Sequence, residues 1–235
     1  MNEGPERMGH GRSRDAPAAV DVLIIVDTLS FSTAVDVAVS RGAIVYPFSY
    51  GDHKAAQAEA DRVGAVLAHP RRAAGGQFSL SPVSLAGLSA RAKLVLPSPN
   101  GSRLSAACNG IPALAGCLRN ADAVAKAARE VAGSGIIGVV PAGERWPDGS
   151  LRPAIEDLLG AGAIIDRIAL PCSPEAKVFR DAYRSAGQSL NRLIRDSLSG
   201  RELTEAGYVG DVEIALEQNV SAFAPRLIDG AYRAG

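Results

Sequence analysis

Residues 20–33 read VDVLIIVDTLSFST. The first eight, Val20–Asp27, form an almost unbroken run of branched aliphatic side chains that ends on a carboxylate. A short continuous apolar run of this kind is the pattern of a strand buried on both faces, as in a parallel sheet. Ser32–Arg41 behind it has helical character, and Gly42 suits a helix end. The chain therefore opens as strand, polar loop and helix.

The same alternation extends outward from this unit. Ala43–Phe48 reads as a second strand, and Asp52 as the N-cap of a helix to about Val63. Ala65–Ala68 is a short third strand. Pro70–Ser81, with Gly75-Gly76 and two adjacent arginines, reads as a loop. Lys93–Leu96 is strand-like, with a helix from about Arg103; Ala113–Cys117 is a weaker strand. Asn120 or Asp122 caps a helix to Val131, Ile136–Val140 is a strong strand, and Pro153–Ile168 is a helix. Beyond Leu170 the segments Ser173–Arg184, Leu190–Leu198 and Asp211–Gln218 are helical, with little strand signal between them. The pattern predicts an α/β fold: three layers, α/β/α, with a largely parallel sheet and a helical C-terminal section from about residue 171. It places a single domain over 19–235, behind a polar, Gly/Arg-rich leader (1–18) that lacks a signal-peptide core and is expected to be disordered.

Composition excludes several classes. Of 235 residues, 47% are hydrophobic, enough to offset the entropy of ordering. The 25 Lys and Arg balance 25 Asp and Glu, which argues against nucleic-acid binding, since that requires excess cationic charge. No apolar run reaches the roughly 18 residues of a membrane span. Three widely spaced cysteines, Cys108, Cys117 and Cys172, form neither a disulfide framework nor a zinc motif and suit a reduced, cytoplasmic setting. Balanced charge and high apolar content are compatible with a homo-oligomer.

In open α/β sheets ligands bind beyond the carboxyl ends of the strands. Three polar loops follow strands here and are expected to form one site. Asp27–Thr33 offers Asp27 as a magnesium ligand held by a rigid strand, with Ser32 and Thr33 as hydroxyl and N–H donors at a helix start; the plainer reading is that all three cap turns. Its Leu29 excludes an Asp-x-Asp phosphatase signature. Pro97–Arg103 offers Ser98, Asn100, Gly101, Ser102 and Arg103 to an anion. Asn100-Gly101 suggests a positive-φ turn, and no Gly-Lys-Ser/Thr ending makes this a Walker loop. Pro141–Asp157 brings Glu144, Arg145, Asp148, Arg152, Glu156 and Asp157, a set able to hold a hard cation beside an anion, or simply a solvated charged loop. Glu156 and Asp157 cannot share one helix face. His69 lacks the partners of a catalytic triad, and Gly160-Ala161-Gly162-Ala163 lies within a helix, where it reads as close helix packing.

Together these loops resemble the 2-phosphosulfolactate phosphatase family. The family's first block, approximately Val-Asp-Val-Leu-Arg-Ala-Ser-Thr-Thr, is similar to Val26–Ala34. Its Thr-Thr-Asn-Gly-Thr turn is similar to Ser98–Ser102, and its Asn-Ala-Ser-Ala-Val helix start to Asn120–Val124. Ala142-Gly143-Glu144, Glu156–Ala163 and Gly207…Asp211-Val212 resemble later blocks, in order, over nearly the whole chain. The resemblance implies a Mg²⁺ cofactor and hydrolysis of a small, acidic phosphate monoester, phosphosulfolactate. It implies Asp27, Ser32, Thr33, Asn100 and Glu144 as catalytic residues and Asp27, Glu156 and Asp157 around the metal. Ser98, Gly101, Ser102, Arg103, Asn120 and Arg145 would bind substrate. The chain departs from the pattern at Ser30, where the family has Arg, at Leu80 in the Gly-Asn-Ser-Pro loop, and at Ser98-Pro99. Arg103, Arg145 or Arg152 are candidates to replace the missing Arg. A relative acting on another phosphoester, or one that only binds an anion, remains an alternative.

Overall fold

The computed structural model describes residues 19–71 and 77–235. The leader, His10, Arg72 and Gly75-Gly76 lie outside the described residues. In chain order the elements are β1 (Val22–Val26), α1 (Phe31–Ser40), β2 (Ile44–Ser49), α2 (His53–Val63), β3 (Val66–Leu67) and α3 (Pro82–Leu85). Then come β4 (Lys93–Ser98), α4 (Gly101–Ala106), β5 (Ala113–Gly116), α5 (Ala121–Ala132), β6 (Ile137–Pro141), β7 (Glu144–Arg145) and β8 (Leu151–Arg152). The chain closes with α6 (Ile155–Ile168), α7 (Pro174–Ala186), α8 (Leu190–Arg195), α9 (Leu198–Glu205), α10 (Val209–Leu216), β9 (Arg226–Ile228) and β10 (Ala231–Arg233).

Local signals account for several boundaries. The Asp52 carboxylate accepts the Ala55 N–H at 2.9 Å to start α2, and Gly64 ends it in the left-handed region. Ser173 caps α7 in the same way, and Pro174 occupies its first turn.

Eight strands form one sheet in the order β3-β4-β2-β10-β9-β5-β1-β6. β1 runs parallel to β5 and β6, and β4 parallel to β2 and β3, so most pairings are parallel. The centre departs from that rule. Helices fill the C-terminal section as expected, but it ends in a hairpin, β9–β10, inserted antiparallel between β2 and β5. Three antiparallel pairings in series make the two parallel groups run in opposite senses. The hairpin turn is Asp229-Gly230, both with positive φ, the chemistry of a two-residue turn whose twist matches the strands.

Helices cover both faces. Val22, Ile24 and Val26 of β1 pack into the core under α5 and α6, while Ile25, between them in the alternation, meets Cys108 and Leu104 near α4. On β4, Leu94 and Leu96 join the core of α1 and α3, and Val95 faces α2. The glycine run in α6 is a packing device. A Cβ on Gly160 would lie 2.7 Å from Thr28 Oγ1, and one on Gly162 would lie 2.3 Å from the Phe179 carbonyl of α7. Among the described residues no helix is long and apolar enough to cross a membrane.

Candidate active site

The end of β1 is the keystone of the site. Asp27 is buried, and its two oxygens hold two loops at once: Oδ1 accepts the Phe31 N–H at 3.0 Å and Oδ2 accepts the Gly101 N–H at 2.9 Å. The first bond shapes the start of α1; the second brings in the end of β4, five positions away in the sheet. Asn100-Gly101 is not a positive-φ turn. Asn100 has φ −109° and Gly101 opens α4 directly. Glycine is required there for space, because a Cβ would lie 2.1 Å from Phe31 Cδ1.

A second carboxylate fastens the third loop to the first. Asp157 Oδ1 accepts the Thr28 N–H at 2.7 Å and Oδ2 accepts the Gly143 N–H at 2.9 Å. Thr28 Oγ1 donates to the Glu156 carbonyl at 3.1 Å. The hydroxyls of the first loop are buried and turned toward main chain. Ser32 Oγ donates to the Ile25 carbonyl, and Thr33 Oγ1 to the Thr28 carbonyl.

Glu144 enters from β7, and its Oε2 accepts the Asn100 Nδ2–H at 2.8 Å. Glu156, in the first turn of α6, is buried and makes no side-chain hydrogen bond with any described residue. Glu156 and Asp157 are adjacent in sequence, yet both are buried here: Asp157 ties loops together, and Glu156 adds its charge to the other acids. The crowding shows in their acidities. Burial and the Asp27 charge push Glu144 up to about 7, against the Asn100 hydrogen bond and the Arg152 charge. Burial raises Asp27 as well, against the two N–H donors and Arg71. Asp157 is held well above the usual carboxylate range by burial and by the charges of Asp27 and Glu156.

The all-oxygen donor set suits a hard cation. Asp27 and Asp157 each accept one backbone N–H on either oxygen, so Glu156 and Glu144 are the least committed carboxylates, and Asp27 and Asp157 could offer a cation only their second lone pairs. Among the described residues no three such side chains form a ready-made metal centre. Mg²⁺ is commonly held by one or two carboxylates, with water and substrate oxygens completing the shell.

The raised acidity of Glu144 sets a stability test. Unfolded, the group ionises near its ordinary 4.5; folded, near 7. Between those values the native state keeps a proton that the unfolded chain has released, so stability falls as pH rises, with the full penalty present above about 7. In metal-free buffer, wild type is expected to lose up to about 3 kcal/mol relative to Glu144→Gln between pH 4 and pH 8. Parallel stability curves from urea unfolding at several pH values would show that Glu144 titrates normally.

Among the described residues, none of the other side chains expected from sequence hydrogen-bonds the carboxylates of Asp27, Glu144, Glu156 or Asp157. Ser102 Oγ donates to the Leu96 carbonyl, and Asn120 spans the β5–α5 turn between the Cys117 N–H and the Ala115 carbonyl. Arg103 is exposed on α4, and Arg145 turns back onto the Gly149 carbonyl of its own hairpin. Ser98 Oγ, at the end of β4, is buried without a hydrogen-bond partner among the described residues. Arg152 pairs with Glu202 of α9 and lies over Trp146, pinning the β7–β8 ladder on which Glu144 sits. Sequence reading passed over Arg71, which reaches the hydroxyl of Ser30 at 2.6 Å and the carboxylate of Asp211 at 3.2 Å.

Known proteins share this arrangement of sequence. A family model described as 2-phosphosulpholactate phosphatase matches residues 11–230. The 2-phosphosulfolactate phosphatase of Methanothermobacter thermautotrophicus is 34% identical over 222 residues, 93% of this chain and 92% of its own length. A protein of Pseudothermotoga lettingae named probable 2-phosphosulfolactate phosphatase is 24% identical over 217 residues, 90% and 91% of the two chains. The family match and the relatives make this α/β protein a phosphatase, a phosphoric monoester hydrolase. The chain belongs to the 2-phosphosulpholactate phosphatase family.

Proposed function

We propose that this protein is a Mg²⁺-dependent 2-phosphosulfolactate phosphatase that releases inorganic phosphate and leaves sulfolactate. The observation that carries the reading is the convergence of Asp27, Glu144, Glu156 and Asp157 from three segments at one end of β1, with Asn100 on Glu144. Four buried or half-buried acids repel a phosphoester unless a cation stands between them, which supports the metal. Mg²⁺ bound by Glu156 and Asp27 would neutralise the phosphoryl oxygens.

The chain's own groups do the rest. Asp27 holds the loop that carries Asn100, and Asp157 the loop that carries Glu144. Glu144, near 7, exchanges a proton at neutral pH and is oriented by Asn100. It is suited to take a proton from an attacking water or to return one to the leaving oxygen. Ser32 and Thr33 keep the loop in shape, which leaves water as the nucleophile in this reading. The P–O bond to the sulfolactate oxygen breaks as water's oxygen bonds to phosphorus. Phosphoryl transfer relies chiefly on such positioning and charge neutralisation.

Phosphate release from phosphosulfolactate, phospholactate, phosphoglycerates and 4-nitrophenyl phosphate, with Mg²⁺ or with EDTA, tests the proposal. We expect Mg²⁺-dependent release, fastest from phosphosulfolactate, and its loss in EDTA. A folded protein that releases phosphate equally well in EDTA would refute the metal. Release from none of the panel would refute the activity.

A further inference from the structure

A cavity of about 600 Å³ opens beside Glu144, with Leu29, Arg71, Glu202, Glu205 and Tyr208 in its walls. Arg71 is the one cation among the described residues that line it; its other charged walls are acidic. A second cavity, of about 370 Å³, also has Arg71 in its wall.

The side chain is held from several directions. Nε donates to Asp211 Oδ2 at 3.2 Å, and Nη2 donates to Ser30 Oγ at 2.6 Å and to the Leu80 carbonyl at 3.1 Å. The guanidinium carbon lies 5.5 Å from the centre of the Tyr208 ring. Nη1 makes no hydrogen bond with any described residue, and the side chain is 18% exposed. Asp211 does not simply cancel the charge, because it also accepts from Ser81 Oγ and, at 3.3 Å, from the Val83 N–H. The result is a guanidinium fixed in a mostly acidic wall, with one edge uncommitted to any described residue; its bond to Ser30, three residues beyond Asp27, and the effect of its charge on Asp27 put it beside the acids of the site. Preorganised guanidinium of this kind suits carboxylate and sulfonate.

We infer that Arg71 recognises a second anionic group of the substrate, a carboxylate or sulfonate beyond its phosphoryl group, with Asp211 and Ser30 as the positioning residues that aim it. The inference rests on the phosphatase reading above and deepens it. It assigns substrate selection to a loop residue rather than to Arg103, Arg145 or Arg152.

The test compares wild type with Arg71→Met and Arg71→Lys, each checked for folding by thermal unfolding. Kinetics are measured on phosphosulfolactate, phospholactate and 4-nitrophenyl phosphate, and sulfolactate binding by calorimetry. Arg71→Met should lose roughly 10- to 100-fold more in kcat/KM on phosphosulfolactate than on the aryl phosphate, chiefly through KM. Arg71→Lys should recover part of that loss. If phospholactate shares the selective loss, the group held is the carboxylate; if it is spared, the sulfonate. Equal losses on all three substrates, with sulfolactate affinity unchanged, would overturn the inference and leave Arg71 a structural residue. A wild type that cleaves nothing but binds sulfolactate in an Arg71-dependent way would overturn the phosphatase reading and keep this one. A wild type that neither cleaves nor binds would overturn both.

Discussion

Asp27→Asn is expected to lower kcat by roughly 10²–10⁴-fold, as loss of a central acid and of its electrostatic alignment does elsewhere. The structure also predicts a stability cost. Each Asp27 oxygen accepts a backbone N–H from a different segment, Phe31 on one side and Gly101 on the other. An asparagine has one acceptor oxygen, so its NH₂ must face one of those N–H groups. Leaving a buried donor unsatisfied costs about 1–3 kcal/mol. Phosphate release and urea unfolding measured on the same preparation separate the two effects. A folded variant that retains the wild-type rate would remove Asp27 from the mechanism. Intact stability together with lost turnover would show that the loops tolerate the exchange and that the missing charge alone is responsible.

Removing the C-terminal hairpin is expected to have the largest effect on folding. Truncation before Arg226 takes away β9 and β10, the strands that join the two parallel groups, and exposes unpaired edges on β2 and β5. No cooperative unfolding transition should remain. A finer version is Tyr232→Ala. Tyr232 is fully buried, packs edge-on against Phe31 with ring centroids 6.0 Å apart, and shares a 2.8 Å hydrogen bond with Ser105 Oγ. Loss of so large a buried aromatic costs about 3–5 kcal/mol, whereas Tyr232→Phe, which loses only the hydroxyl, costs about 1 kcal/mol. Chemical denaturation decides between them. A truncated chain that unfolds like wild type would mean that the two halves of the sheet hold together without the hairpin. Because Phe31 follows the first loop and touches both Gly101 and Tyr232, the hairpin also bears on the shape of the site.

The places where sequence reading stopped are instructive. Strands with long apolar runs were legible because burial on both faces leaves little room for polar residues, and Val22–Val26 and Ile137–Pro141 stand close to where the pattern put them. β9 and β10 have only three residues each, too few for a period to show. Asp229-Gly230 between Ile228 and Ala231 was the available signal for a hairpin. Leu190–Leu198 reads as one helix but breaks at Asp196-Ser197, where the Ser197 side chain caps a new one. The β7–β8 ladder, two residues on each side, read as loop.

What the sequence by itself determined is the alternation of strands and helices, the family, and the acids that end up in the site. Asp27, Glu144, Glu156 and Asp157 each follow a strand or open a helix, and that is a local property. What only the tertiary structure decided is what each of them does. Asp27 and Asp157 spend their oxygens on backbone amides of other segments, Glu144 is raised by burial and by charges that come from other elements, Arg103 is exposed, and Arg145 turns back onto Gly149. Arg71 meets Ser30 and Asp211 across 41 and 140 residues of chain. No local pattern encodes such meetings, because hydrogen-bond partners and buried charges are fixed by the packing of whole elements, and side-chain acidity depends on the groups that packing brings near.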